Sequence, residues 1–261
     1  MGVLNVTADS FSDGGRHLDP AAALERAQQM IEAGADLIDI GGESTRPGAA
    51  PTPERLELER VIPLIEAIAA SGTPVSADTR KSGVMRAAIG AGAGMINDVS
   101  ALRDAGALEA VAGAPAPVAV CLMHMRGEPE TMQRAPAYAD VVGEVGAFLG
   151  RRAAACEAAG IARERIVVDP GFGFGKTLEH NLDLLRRLPE IVALGYPVLV
   201  GLSRKSTIGV LTGRDVEERA VGSVAAALAA VARGASIVRA HDVRETVDAL
   251  KVWSAVNAYS A

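Results

Sequence analysis

Eight times along the chain a short apolar run stops on a polar side chain, and each gap leaves room for about one helix. The stops are Asn5 after Gly2-Val3-Leu4, Asp39 within Leu37 to Ile40, Asp78 after Val75-Ser76-Ala77, and Asn97 after Met95-Ile96. They continue with His124 after the run from Val118, Asp169 after Ile166-Val167-Val168, Lys205 after Val198 to Leu202, and Arg239 after Ile237-Val238. Continuous Val, Ile and Leu runs suit parallel strands buried on both faces, with helices supplying the cover. The pattern predicts one (β/α)8 barrel, a TIM barrel, in which the strand C-termini converge on one mouth. A ring of Asn, Asp, His, Lys and Arg at that mouth reads as an active site.

The segments between the stops carry helical periodicity, at about 20 to 33, 53 to 70, 81 to 91, 105 to 112, 138 to 159, 178 to 194, 215 to 233 and 243 to 257. Asp19-Pro20 and Thr52-Pro53-Glu54 are helix starts, and Gly34, Gly72, Gly160 and Gly234 are stops. The long connections, 7 to 19, 41 to 52, 124 to 137 and 170 to 177, all follow strands and are rich in Gly, Pro, Ser and Asp. Loops on that side of a barrel build its site.

The 261 residues match one barrel, so residues 1 to 261 are expected to form a single domain. Met1 stands directly against the first strand, so the usual cover of a barrel's bottom is expected to be missing or truncated. A net charge of -6 gives no electrostatic reason to expect nucleic acid or an anionic membrane as partner. Any anion must be held by local cations. The two cysteines, Cys121 and Cys156, have neither metal-ligand spacing nor a disulfide framework, which suggests the cytoplasm. The first residues lack a signal peptide's charged flank, and no apolar stretch is long enough to span a membrane.

At the mouth, Arg239 and His241 stand two apart, on one face of an extended chain, beside Asn5 of the neighbouring strand. Arginine grips phosphate with two donors at once, and Lys205 follows strand 7, near the usual phosphate position of this fold. The plainer reading is an arginine satisfied by strand-end carboxylates. Asp78, Asn97 and Asp169 are costly to bury unpaired, and a nitrogen-rich heterocycle with an amino-pyrimidine edge supplies the donors they need. Ion pairing with Lys205 and Arg239 is the alternative.

Gly171 to Thr177 imitates a phosphate-binding P-loop but misses by one residue, because Pro170 occupies the first glycine position. It reads as a flexible loop over the pocket. His17 and His180 read as surface residues, His124 as either a ligand or a polar plug, and Met123 as either core or pocket wall.

The chain resembles the dihydropteroate synthase family of bacterial folate biosynthesis. The resemblance is carried by MGVLNVTADSFSDGG at 1 to 15, DIGGESTRPGA at 39 to 49, SADTRK at 76 to 81, INDVS at 96 to 100, CLMHMRG at 121 to 127, DPGFGFGKT at 169 to 177, GLSRKS at 201 to 206 and RAHDV at 239 to 243. It implies condensation of 6-hydroxymethyl-7,8-dihydropterin diphosphate with p-aminobenzoate, giving 7,8-dihydropteroate and diphosphate with Mg2+. By motif, Asp78, Asn97, Asp169 and Lys205 bind the pterin, with Met123 as a pocket contact. Asn5, Arg239 and His241 hold the diphosphate, Asn5 and Asp13 reach the metal, and Arg46 closes onto the diphosphate. Thr45, Phe172 and Ser206 fall where the family contacts substrate, with Pro47 beside the aminobenzoate. Asp13, Arg46, Lys205, Arg239 and His241 are the implied catalytic group.

Sulfonamides are the implied inhibitors and a homodimer the implied assembly. Ala8, Ala77 and Ala240 depart from the family's usual apolar residues, which bears on pocket volume only. A corrinoid methyltransferase of the same pterin-binding barrel would share Asp78, Asn97 and Asp169 without needing the diphosphate cluster. A non-catalytic pterin-binding paralogue should lack part of the metal and loop set.

Overall fold

Each apolar run forms a parallel strand in the computed structural model, which describes residues 1–7, 19–44, 49–128, 131–133 and 135–257. In chain order the elements are β1 (Gly2–Asn5), α1 (Pro20–Glu32), β2 (Ile38–Gly41), α2 (Glu54–Ala70), β3 (Val75–Asp78), α3 (Ser82–Gly90), β4 (Met95–Asp98), α4 (Ala107–Ala112), β5 (Ala119–Met123) and α5 (Val141–Ala158). They continue with β6 (Ile166–Asp169), α6 (Leu178–Arg186), α7 (Leu188–Val192), β7 (Leu199–Val200), α8 (Ser206–Thr212), α9 (Ala220–Val231), β8 (Ile237–Val238) and α10 (Val243–Asn257).

Strands β1 to β6 pair in sequence order as one sheet, and β7 pairs with β8. Single parallel bridges join the two groups at both seams, Val168 to Val198 and Gly2 to Ala240, which completes a ring of eight. The strands alternate strictly. Ile38, Ile40, Val75, Ile96, Val120 and Val168 point out and pack with the helices. The opposite parity, Met95, Cys121, Val167 and Leu199, forms a separate apolar cluster with Leu37 and Ile237 at the bottom of the barrel's interior. One step further along, the same parity places polar residues at the mouth.

The helices obey local rules. Asp19 caps α1, accepting from the Ala21 N–H at 2.9 Å with Pro20 at the first helical position, and Ala23, Ala27 and Met30 form the buried stripe. Three details differ from the sequence expectation. The segment 178 to 194 breaks into α6 and α7, because Pro189 has no N–H to continue the ladder. An additional helix, α8, follows Lys205 and closes on the left-handed Gly213. The last two strands are two residues each, although Arg239 N–H still donates to the Val200 carbonyl at 3.0 Å. No helix among the described residues is long and apolar enough to cross a membrane.

Candidate active site

The mouth is organised around Arg239. Its Nε lies 2.6 Å from Asp39 Oδ2 and its Nη2 2.8 Å from Asp78 Oδ2, so β8 is tied to β2 and β3 across the barrel. Asn97 Nδ2 donates to the same Asp39 oxygen at 3.1 Å. Asp39 is fully buried, and its other oxygen has no partner among the described residues. The plainer reading of Arg239 is therefore what the structure shows: the guanidinium is held by strand-end carboxylates. That also places its charge at the base of the slot.

Burial governs the electrostatics here. It lifts Asp78 to about 7 while Arg239 pulls the other way, and it raises Asp169. Burial lowers Lys205 to about 8, against the pull of Asp169. Asp169 uses Oδ1 to accept the Gly171 N–H at 2.7 Å. Lys205 Nζ donates to the Phe172 carbonyl and sits 4.1 Å above the Phe174 ring. The Phe172 ring is buried in the helix-facing core at 1% exposure, so the aromatic face beside Lys205 belongs to Phe174, which sequence reasoning did not single out.

His241 turns toward β7. Its backbone N–H and its Nδ1 both lie 3.1 Å from Ser203 Oγ. Burial lowers it to about 4, helped by the nearby Arg239 and Arg204 charges, so the ring is neutral near pH 7. Arg204 holds the turn between them through Asp242, at 2.6 and 3.1 Å. Asn5, at the end of β1 and partly exposed, pairs in register with Gly41. Met123 packs with Val99, Met125 and Met132 as an apolar rim, and Ser206 is exposed at the start of α8.

The loop after β2 is anchored at its two ends. Glu43 accepts from the Thr52 N–H at 2.9 Å and pairs with Arg80 at 3.0 Å and with Lys81, which also meets Glu57. Asp13 and Arg46, expected to close the site, Thr45 and Pro47, expected to contact substrate, and the surface expectation for His17 all lie outside the described residues. His180, expected at the surface, is half-buried and closes a capping box with Thr177 on α6. Of the two readings offered for His124 one is borne out, and the expectation for the glycine-rich loop after β6 is not. His124 is a plug: it is buried, and its Nδ1 lies 3.0 Å from Lys176 Nζ. The loop from 170 to 177 is not free over the pocket, because Lys176 is 3% exposed and fastened inside it.

Asp39 is the main residue that sequence reasoning left without a role. Its signal was present, a carboxylate inside a buried run at the same parity as Asp78 and Asn97. Asn5, Asp78, Asn97, Asp169 and Arg239 lie at the C-terminal ends of their strands and Lys205 on the loop after β7, the side on which a barrel builds its site.

Comparison with known proteins gives the same assignment. The pterin-binding enzyme family matches residues 1–241. A dihydropteroate synthase of Neisseria meningitidis serogroup C is 55% identical over 260 residues, 98% of this chain and 92% of that one. The crystal structure of Yersinia pestis dihydropteroate synthase in a sulfonamide drug complex superposes with a TM-score of 0.93 at 48% identity, covering 98% of this chain and 93% of that one. The Xanthomonas albilineans dihydropteroate synthase with 4-aminobenzoic acid gives 0.92 at 57% identity, covering 98% and 92%. The chain belongs to the dihydropteroate synthase family of pterin-binding enzymes.

Proposed function

We propose that this chain condenses 6-hydroxymethyl-7,8-dihydropterin diphosphate with p-aminobenzoate, releasing 7,8-dihydropteroate and diphosphate, as an alkyl-group transferase. The observation that carries the reading is the polar ring of Asp39, Asp78, Asn97, Asp169, Lys205 and Arg239 above an otherwise apolar barrel interior. Asp169, Asp78 and Asn97 take the pterin's amino and ring N–H donors, and Lys205 donates to an acceptor on the same ring. Arg239, His241 and Asn5 take the diphosphate, with Arg46 joining them from the loop after β2. Ser203 Oγ accepts the His241 backbone N–H, so its own hydrogen is available to Nδ1 and leaves Nε2–H to face a phosphate oxygen.

The bond from the methylene carbon to the diphosphate oxygen breaks with its electron pair leaving on oxygen, and the resulting cation spreads over the pterin beside Asp78 and Asp169. The neutral amine of p-aminobenzoate attacks that carbon, and its proton passes to water. No strong general base is required. The p-aminobenzoate subsite, and the sulfonamides that mimic it, are assigned to Thr45, Pro47, Lys205 and Ser206, with Phe174 supplying the aromatic face in place of the core-buried Phe172. Mg2+ suits the Asn5 amide oxygen, a hard ligand it takes beside waters and substrate phosphates, with Asp13 as the second protein ligand. When bound, it would neutralise charge on the departing diphosphate.

The assembly we propose is a homodimer through α8, α9 and α10, which leave Val210, Leu211, Val221, Val252 and Val256 more than half exposed. Val221→Glu should shift the mass in sedimentation equilibrium to that of the monomer. The buried free thiols Cys121 and Cys156 agree with a reducing, cytoplasmic setting. The reaction is tested by mixing the pterin diphosphate, p-aminobenzoate and Mg2+ with the protein. Stoichiometric dihydropteroate and diphosphate are expected, and pterin binding without turnover would favour a non-catalytic pterin protein.

A further inference from the structure

The glycine-rich segment after β6 is not a phosphate loop, yet every carbonyl from Gly171 to Gly175 has a donor. Lys176 Nζ reaches back to the carbonyls of Gly171 at 2.9 Å and Phe174 at 3.1 Å, and to the carbonyl and Nδ1 of His124 at 3.3 and 3.0 Å. Lys205 takes the Phe172 carbonyl, Gln133 the Gly173 carbonyl, and Tyr138 OH the Gly175 carbonyl at 2.9 Å. The path needs left-handed glycine at 171 and 175, where a Cβ would stand 1.9 Å from the His124 carbonyl oxygen and 2.4 Å from that of Arg126.

The amine thus fixes the two ends of one turn. Gly171 carries the N–H that holds Asp169, and Phe174 carries the ring under Lys205. We propose that Lys176 is a positioning residue for the pterin slot, locking the loop after β6 so that Gly171 orients the Asp169 carboxylate and Phe172 presents its carbonyl to Lys205. The proposal rests on the pterin reading above. Burial lowers Lys176 to about 7 and His124 to about 3, consistent with a neutral imidazole accepting from the amine. The Gly171 N–H and the Lys176 charge both hold Asp169 down, as do Lys205 from the loop after β7 and Arg239 from β8. The neutral Cys121 thiol faces Asp169 from β5.

The test is Lys176→Met in the full chain, with calorimetry of the pterin diphosphate in Mg2+ across pH and hydrogen exchange of residues 171 to 175. Loss of charged hydrogen bonds predicts about tenfold weaker binding, faster exchange in the loop, and an acid limb of affinity moved to higher pH. Deleting the charge alone would move that limb without quickening exchange in the loop, so positioning requires both changes together. Affinity within about twofold of wild type, an unmoved limb, or unchanged loop exchange overturns the proposal. If Lys176→Met does not fold, His124→Leu decides: about threefold weaker binding supports it, and wild-type affinity overturns it. Failure of the wild-type protein to bind the pterin diphosphate would instead overturn the functional reading.

Discussion

Asp169→Asn isolates the chemistry of the pterin slot with little change in shape. The carboxylate is 6% exposed, and one of its oxygens is committed to the Gly171 N–H at 2.7 Å. Asparagine keeps an acceptor for that N–H and turns its NH2 toward the heterocycle, so donor meets donor where a charged pair had formed. Each charge-assisted hydrogen bond is worth about 1.5 to 3 kcal/mol, and an unpaired buried donor costs about 1 to 3 more. With one or two such bonds lost, the pterin should bind about 3 to 5 kcal/mol more weakly, or roughly 150 to 4,000 times. Asp169→Ala should lose at least as much, since the Gly171 N–H is then also left unpaired. The assay is calorimetry of the pterin diphosphate at neutral pH. The wild-type pH dependence supplies a control of known sign: burial raises Asp169, so protonation competes with the ligand as pH falls through a value above the ordinary 3.8. Affinity should fall on that acid side, and Asp169→Asn should lose the Asp169 limb while keeping the one that Asp78, lifted to about 7, contributes. Near wild-type affinity in either variant, or an acid limb in Asp169→Asn unchanged from the wild type, would refute the reasoning.

Asp39→Ala should destabilise the fold by about 3 to 5 kcal/mol, because it strips a buried guanidinium of one partner and frees the Asn97 amide; a urea titration showing under about 1 kcal/mol would contradict this. Between about pH 7.5 and 9 stability should rise with pH, because the unfolded chain holds protons that folded Lys176 (about 7) and Lys205 (about 8) have released. The buried thiols Cys121 and Cys156, both raised, oppose this only toward the upper end, so a flat or falling urea midpoint, or an unchanged slope in Lys176→Met, would count against it. A bulkier residue at Pro47 or Ser206 should weaken sulfonamide more than p-aminobenzoate, since the inhibitor's extra ring projects past the substrate's footprint; equal loss for both ligands in steady-state kinetics would move the subsite elsewhere.

Much of this architecture is legible in the sequence because strand parity and helix period are local properties. The polar stops at Asp78, Asn97, Asp169 and Arg239 mark the inward face at the mouth, and the structure puts all four there. Partners are another matter. Periodicity assigns a residue to a face but cannot reveal that Arg239 meets Asp39 across 200 positions of chain, so Asp39 stays without a role until the barrel closes. Lys176 is hidden for a different reason. Lysines in glycine-rich loops are ordinarily solvated, and this one is drawn inside by a carbonyl cage that exists only once three glycines take left-handed conformations. The break between α6 and α7 was readable from Pro189, whereas α8 was obscured because Ser206 to Thr212 is short and its apolar residues are largely exposed.

The central claim is that one ring of strand-end residues holds the pterin and its leaving group together, and a crystal structure with the pterin diphosphate and Mg2+ bound tests it most directly. The pterin edge should lie within hydrogen-bonding distance of Asp169 and Asn97, with Lys205 on the same ring and the diphosphate against Arg239 and His241. A ligand seated anywhere else, or a diphosphate directed away from Arg239, would contradict the account.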